Sequence, residues 1–132
     1  MSRNSDLVTK IYDAFAQGDV ATVLGAFDPA IEWREAEGYD YSERNPYIGP
    51  QAIAEGVFQR LATETDGFRL ARQNMIEGGD TVVVEGRYTC TMKATGRRLD
   101  AQFAHVWGVR DGRISRFQQY TDTAQWNEAM GA

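Results

Sequence analysis

The feature that most narrows the fold of this chain is a change of period. Before residue 67 the apolar residues recur mainly at helical spacing. From Gly67 onward they alternate, in four long runs at 68–77, 81–93, 99–110 and 113–121. Alternation is the mark of a strand with one buried face. Gly78-Gly79-Asp80, Ala94 to Arg97 and Asp111-Gly112 lie between the runs and supply turns, so neighbouring strands are expected to pair as antiparallel hairpins.

The first half reads differently. Val8, Ile11, Tyr12 and Phe15 share one helical face, with Asn4 or Ser5 available as a cap and Gly18 as a stop. Asp19 can cap a second, short helix carrying Val20, Val23, Leu24 and Phe27, which Asp28-Pro29 ends. Residues 30–35 alternate around Ile31 and Trp33 as a short strand, and 36–49 form a turn-rich loop bearing Tyr39, Tyr41 and Tyr47. Pro50 suits the first turn of a third helix with Ile53, Val57, Phe58 and Leu61 inward, and a last helix is expected over 123–130. Helices first and a strand meander after them predict an α+β class. The expected architecture is a cone-shaped, curved, mostly antiparallel sheet with three N-terminal helices on its concave face. Such a cone leaves a dead-end apolar cavity between the layers, where small-molecule sites usually lie.

Composition removes several functions. At 132 residues the chain is expected to form one domain spanning 1–132. A net charge of −5, with no cluster of basic residues, argues against nucleic acid. The one cysteine, Cys90, rules out an internal disulfide and a cysteine zinc site, and a single histidine among scattered carboxylates is a poor metal set. We therefore expect no metal and no cofactor. Residues 1–6 lack an apolar signal segment and no run approaches membrane length, so the expected location is cytoplasmic and away from the membrane.

The chemical tools are few. His105 alternates with Phe103 and Trp107 on one strand face, which places it inward. It is either a neutral core imidazole held by hydrogen bonds or a pocket-facing donor and acid/base. Asp122 ends the last strand, and Asp122-Thr-Ala-Gln125 has the form of a capping box, worth about 1 kcal/mol, so a cap competes with any catalytic role. The hairpin register decides what faces His105. A plain two-residue Asp111-Gly112 turn pairs it with Gln118. A turn that includes Arg110, with Gly112 in a bulge, pairs it with Phe117 and brings Gln119 and Thr121 inward; this form is favoured because Phe117 is then inside and Arg116 outside.

The order helix, Gly18-Asp19, helix, Asp28-Pro-Ala-Ile-Glu-Trp33, Gly49-Pro-Gln-Ala-Ile53, then Phe103-Ala-His-Val-Trp107 through Ile114 and Gln119-Tyr-Thr-Asp122, resembles the nuclear transport factor 2-like superfamily. Within it the chain is most similar to SnoaL-like proteins related to ketosteroid isomerase and polyketide cyclase. The resemblance implies the same cone fold and places His105 where the isomerases keep a protonated aspartate in their oxyanion hole. It places Asp122 near the pocket end where the cyclases carry an acid/base aspartate. It departs at helix 1, where the isomerase tyrosine aligns with Ile11 and Tyr12 lies about 100° away. It departs again at the isomerase base, which aligns near Arg34 with Glu32 and Glu35 as the neighbouring carboxylates.

Two functions are compatible with this reading. The first is a cofactor-independent enzyme that moves protons on an apolar carbonyl or hydroxyl compound. Asp122 or Glu35 would carry the proton and His105 would polarise the oxygen, while Tyr12, Trp33, Tyr41, Phe103, Phe117 and Gln119 line the pocket. The second is a non-catalytic, ligand-binding scaffold that pairs as a homodimer through the outer face of its sheet, centred on the 81–93 strand.

Overall fold

The computed structural model describes residues 3–131; Met1, Ser2 and Ala132, and with the first two the start of the N-terminal segment, lie outside the described residues. Helix α1 (Arg3–Ala16) leads into α2 (Val20–Gly25) and strand β1 (Phe27–Arg34). A loop with one 3-10 turn (Asp40–Arg44) connects to β2 (Tyr47–Ile48). Next come α3 (Pro50–Ile53), a π-helical turn (Ala54–Phe58) and α4 (Gln59–Glu64). The meander is built of β3 (Thr65–Gly78), β4 (Thr81–Met92), β5 (Arg98–Arg110) and β6 (Arg113–Thr121), and α5 (Thr123–Met130) closes the chain.

The six strands form one curved, unclosed sheet in the order β2-β1-β6-β5-β4-β3. Every neighbouring pair is antiparallel except β1 with β6, which run parallel. The fold class expected from the change of period is therefore the observed one. Inward positions of β4 and β5 alternate as expected, with Val82, Val84 and Tyr88 facing Leu99, Phe103, His105 and Trp107 in the core. No helix among the described residues is long and apolar enough to cross a membrane.

Local expectations fail where an element boundary depends on proline or on a bulge. Phe27 belongs to β1 rather than to α2, because the strand runs through Pro29. Pro29 cannot donate to a ladder, and the β1–β6 register shifts between Phe27 and Glu32, around it. The third helix is interrupted by its π turn; there Gly56 has no room for a Cβ, which would run into the Tyr47 ring. Asn4 and Ser5 do not cap α1 but lie in its first turn, where Asn4 donates to the Gly79 carbonyl at 3.1 Å and Ser5 bonds Glu77. Asp19 does cap α2, accepting from the Thr22 amide at 3.2 Å.

The last hairpin adopts neither expected register. Arg110 pairs with Arg113 across a two-residue Asp111-Gly112 turn, as in the plain form. An extra residue at Ser115 then shifts the ladder between Gly108 and Val109, so that His105 faces Gln119. Phe117 and Gln119 are consequently inside, the side expected for the bulged form. The bulge is real; its place is three residues later than expected.

Candidate active site

The cavity opens between the concave sheet face and the helices. His105 is 4 % exposed and both ring nitrogens are engaged. Tyr12 of α1 lies 2.6 Å from Nδ1, and Tyr88 of β4 bonds Nε2. The Trp107 indole donates to the Tyr12 hydroxyl at 2.9 Å, and the Gln119 amide donates to the Tyr88 hydroxyl at 2.7 Å. Strand alternation delivers Tyr88, His105 and Trp107 to one face, and the inward stripe of α1 (Val8, Ile11, Tyr12) lowers a phenol onto them.

Burial holds the imidazole pKa down to about 3, because the charged ring would have no water around it. His105 is thus neutral at physiological pH, one ring nitrogen a donor and the other an acceptor. Burial likewise raises the Tyr12 and Tyr88 phenols, so both keep their hydrogens.

The second polar cluster is built at the end of β1. Glu35 comes directly after the last strand residue and is 3 % exposed. Asn45 clamps its backbone from both sides, accepting from Glu35 N–H at 2.9 Å and donating to the Glu35 carbonyl at 2.8 Å. The carboxyl accepts from the Trp33 indole at 2.7 Å on Oε2, and Tyr39 lies 2.7 Å from Oε1. Desolvation pushes the Glu35 carboxyl up, more than the Tyr39 and Trp33 hydrogen bonds and the Arg60 charge pull it down. Tyr39 also reaches the Gln119 carbonyl oxygen at 2.8 Å, which joins the two clusters into one buried chain.

Between them lies a cavity of about 60 Å³, room for a few waters or a small ligand fragment. Its walls are apolar and aromatic, including Phe15, Val57, Phe58, Leu61 and Trp126. Trp33 stacks on Phe117 at 3.7 Å as one wall. The π turn of the helical layer supplies Val57 and Phe58 to the cavity wall.

Of the residues picked out in the sequence, His105, Glu35, Tyr12, Trp33, Tyr41, Phe117 and Gln119 line this cavity together. Two do not. Asp122 is half-buried outside the cavity and caps α5, accepting from the Gln125 amide at 3.2 Å, and that capping holds its carboxyl below the usual range. Phe103 packs flat on His105, ring centroids 4.1 Å apart, and stays out of the cavity wall. Both ring nitrogens of His105 are taken, so any polarising effect reaches a ligand through the tyrosines. Tyr88 and the hydroxyl of Tyr39 were not singled out in the sequence. Tyr88 had a readable signal, as the one hydroxyl-bearing aromatic at an inward position of the 81–93 run.

Among the described residues no three His, Cys, Asp or Glu side chains converge as metal ligands, and Cys90 is a buried free thiol.

Residues 8–117 match the SnoaL-like domain family. Among solved structures, an NTF2-like protein from Burkholderia thailandensis is 35 % identical, with 98 % of each chain covered and a TM-score of 0.92. TerC, crystallised with polyporic acid, is 30 % identical over 99 % of this chain and 100 % of its own, with a TM-score of 0.87. A SnoaL-like polyketide cyclase from Jannaschia is 18 % identical over 98 % and 92 % of the two chains, at a TM-score of 0.83, and shows the shared fold. No match was found among curated proteins.

Proposed function

The chain belongs to the SnoaL-like domain family, and on that premise we propose that it is a cofactor-independent enzyme of the isomerase/cyclase kind. Its substrate is an apolar carbonyl or hydroxyl compound held in the cavity. Glu35 carries the proton between the substrate atoms that lose and gain it. One of the hydroxyls of Tyr12 and Tyr88 donates to the oxygen that gains charge, and His105, bonded to both, positions them. The observation that supports this most is a buried carboxyl of raised pKa lining the same apolar cavity as two phenols fixed by a neutral imidazole. Co-crystallisation of TerC, 30 % identical, with an organic acid is consistent with a small-molecule site in this fold.

Turnover on a panel of enones and poly-β-ketones tests the reading. Glu35→Gln is expected to lower the rate at least 100-fold and Tyr88→Phe about tenfold. Activity undiminished in both removes these roles.

A second reading, ligand binding without turnover, has one observation in its favour: every buried side-chain N or O atom among the described residues has a partner within the protein. In that reading the half-buried outward residues of β4, such as Val83, Thr89 and Thr91, form the homodimer face. Light scattering of the purified protein distinguishes dimer from monomer.

A further inference from the structure

Two polar atoms at hydrogen-bond distance need one hydrogen between them. Counted this way, the buried chain around the cavity does not balance on either side of Gln119. The orientation of Gln119 is set by the Ala36 backbone N–H, which donates to its carbonyl oxygen at 3.3 Å; its amide nitrogen therefore faces Tyr88. Turning the amide over would set its NH₂ against that N–H.

On one side, the Tyr39 hydroxyl lies 2.7 Å from Glu35 Oε1 and 2.8 Å from Gln119 Oε1. Both neighbours are acceptors, and the phenol has one hydrogen for two contacts. On the other side, Tyr12–His105 and His105–Tyr88 are two contacts. The two phenols and the neutral imidazole bring three hydrogens to them. One side is a hydrogen short and the other has one in excess. The Gln119 amide keeps its hydrogens on nitrogen and cannot even them out.

We propose that Glu35 is a protonated carboxylic acid in the ligand-free protein, and that the excess hydrogen is a free phenolic O–H whose owner, Tyr12 or Tyr88, is chosen by the tautomer of His105. The ligand is then an uncharged compound with one acceptor oxygen, such as a ketone, placed to receive that hydrogen. With the proton on Glu35 Oε1, the carboxyl donates to Tyr39 and Tyr39 donates to Gln119, so both contacts are made. With the imidazole hydrogen on Nδ1, His105 donates to Tyr12 and accepts from Tyr88, leaving the Tyr12 hydrogen free. With it on Nε2, the free hydrogen belongs to Tyr88.

The surroundings agree. The titratable groups facing Glu35 are Tyr39 and Tyr41 from the loop, Tyr47 from β2, Tyr88 from β4 and Arg60 from α4. The tyrosines stay neutral, and among the described residues no lysine or arginine lines the cavity, so an anionic ligand would find no countercharge. Glu35 consequently starts as an acid and acts as a base only after giving up its proton. The ligand class rests on the cavity being the working site proposed for turnover; the proton assignment does not, and it is measured without turnover.

Infrared difference spectra of wild type minus Glu35→Gln, in heavy water near neutral pH, should show the carbonyl stretch of one protonated carboxylic acid. A carboxylate signal alone overturns the assignment. Ring-¹⁵N spectra of His105 should report opposite tautomers in Tyr12→Phe and Tyr88→Phe: Nε2–H in the first and Nδ1–H in the second, both neutral. The same tautomer in both, or a charged ring, overturns the switch. If a variant fails to fold, the wild-type spectrum still decides, since a neutral ring with one protonated nitrogen is required. For the ligand, 2-cyclohexenone should bind about tenfold more tightly than cyclohexene by NMR titration, the yield of one added hydrogen bond. Equal binding overturns the ligand class.

Discussion

Glu35 and Asp122 occupy equivalent places and meet opposite fates. Each is the first residue past a strand end, and the two strands, β1 and β6, are parallel neighbours. Glu35 turns inward, its backbone gripped by Asn45, into a wall of Trp33 and Tyr39. Asp122 turns outward and spends both oxygens on Gln125. Burial raises the first carboxyl; hydrogen bonding to the charged form lowers the second. Position along the strand does not determine chemistry here. The next segment of the chain does: a loop that folds back over Glu35, and a helix that needs a cap after Asp122.

The comparison breaks most visibly in turnover. Glu35→Gln should cost at least 100-fold, while Asp122→Asn should stay within about twofold, measured side by side on the same substrate. Reversed sensitivities would hand the proton to the surface residue.

The next effect is in acid stability. His105 has a pKa near 3 folded and about 6.5 unfolded, so between those values the unfolded chain binds a proton that the folded one refuses. Its contribution is complete above 6.5 and is lost as pH falls, at up to about 1.4 kcal/mol per pH unit. Glu35, raised when folded, has the opposite sign: its contribution is complete below its ordinary carboxylate range and is lost as pH rises through the raised value. Urea titrations at pH 4.5, 6 and 8 should show Glu35→Gln gaining on wild type towards alkaline pH. Asp122→Asn should show no such gain, because its folded pKa is lowered.

A smaller change is expected from the cap. Asp122→Ala should destabilise by about 1 kcal/mol, read as a lower urea midpoint with turnover kept. Smallest of all, Arg60→Gln removes a charge that lowers Glu35, so the carboxyl should titrate at still higher pH by ¹³C NMR. A downward shift would mean the charge acts elsewhere, for instance through Glu64, which Arg60 approaches at 3.5 Å.

Much of this was legible in the residues. Period two from 67 onward fixed which side chains of β4, β5 and β6 point inward, and His105 and Trp107 fell where expected. Glu35 shares the parity of Ile31 and Trp33 and was named as a proton carrier where Glu32 was not; what stayed hidden is its setting, because Asn45 and Tyr39 reach it from the 36–46 loop, which alternation does not describe. Tyr12 looked misplaced by 100° on a helical wheel, yet the roll of α1 presents both it and Ile11 to the cavity. The register beside His105 escaped because a bulge at Ser115 carries no glycine to announce it. Single-residue slips of this kind are set by tertiary packing, here the need to seat Phe117 against Trp33 and Trp107.

The parallel β1–β6 pairing has a further consequence, in the time domain. Ala36 and Gln119, which touch in the finished molecule, are 83 positions apart. During synthesis, Gln119 emerges 83 positions after Ala36, and such distant closures are slow to form. Nascent chains therefore carry helices and hairpins before the cavity is closed, and a chain cut short within β6 would lack Gln119 from its wall.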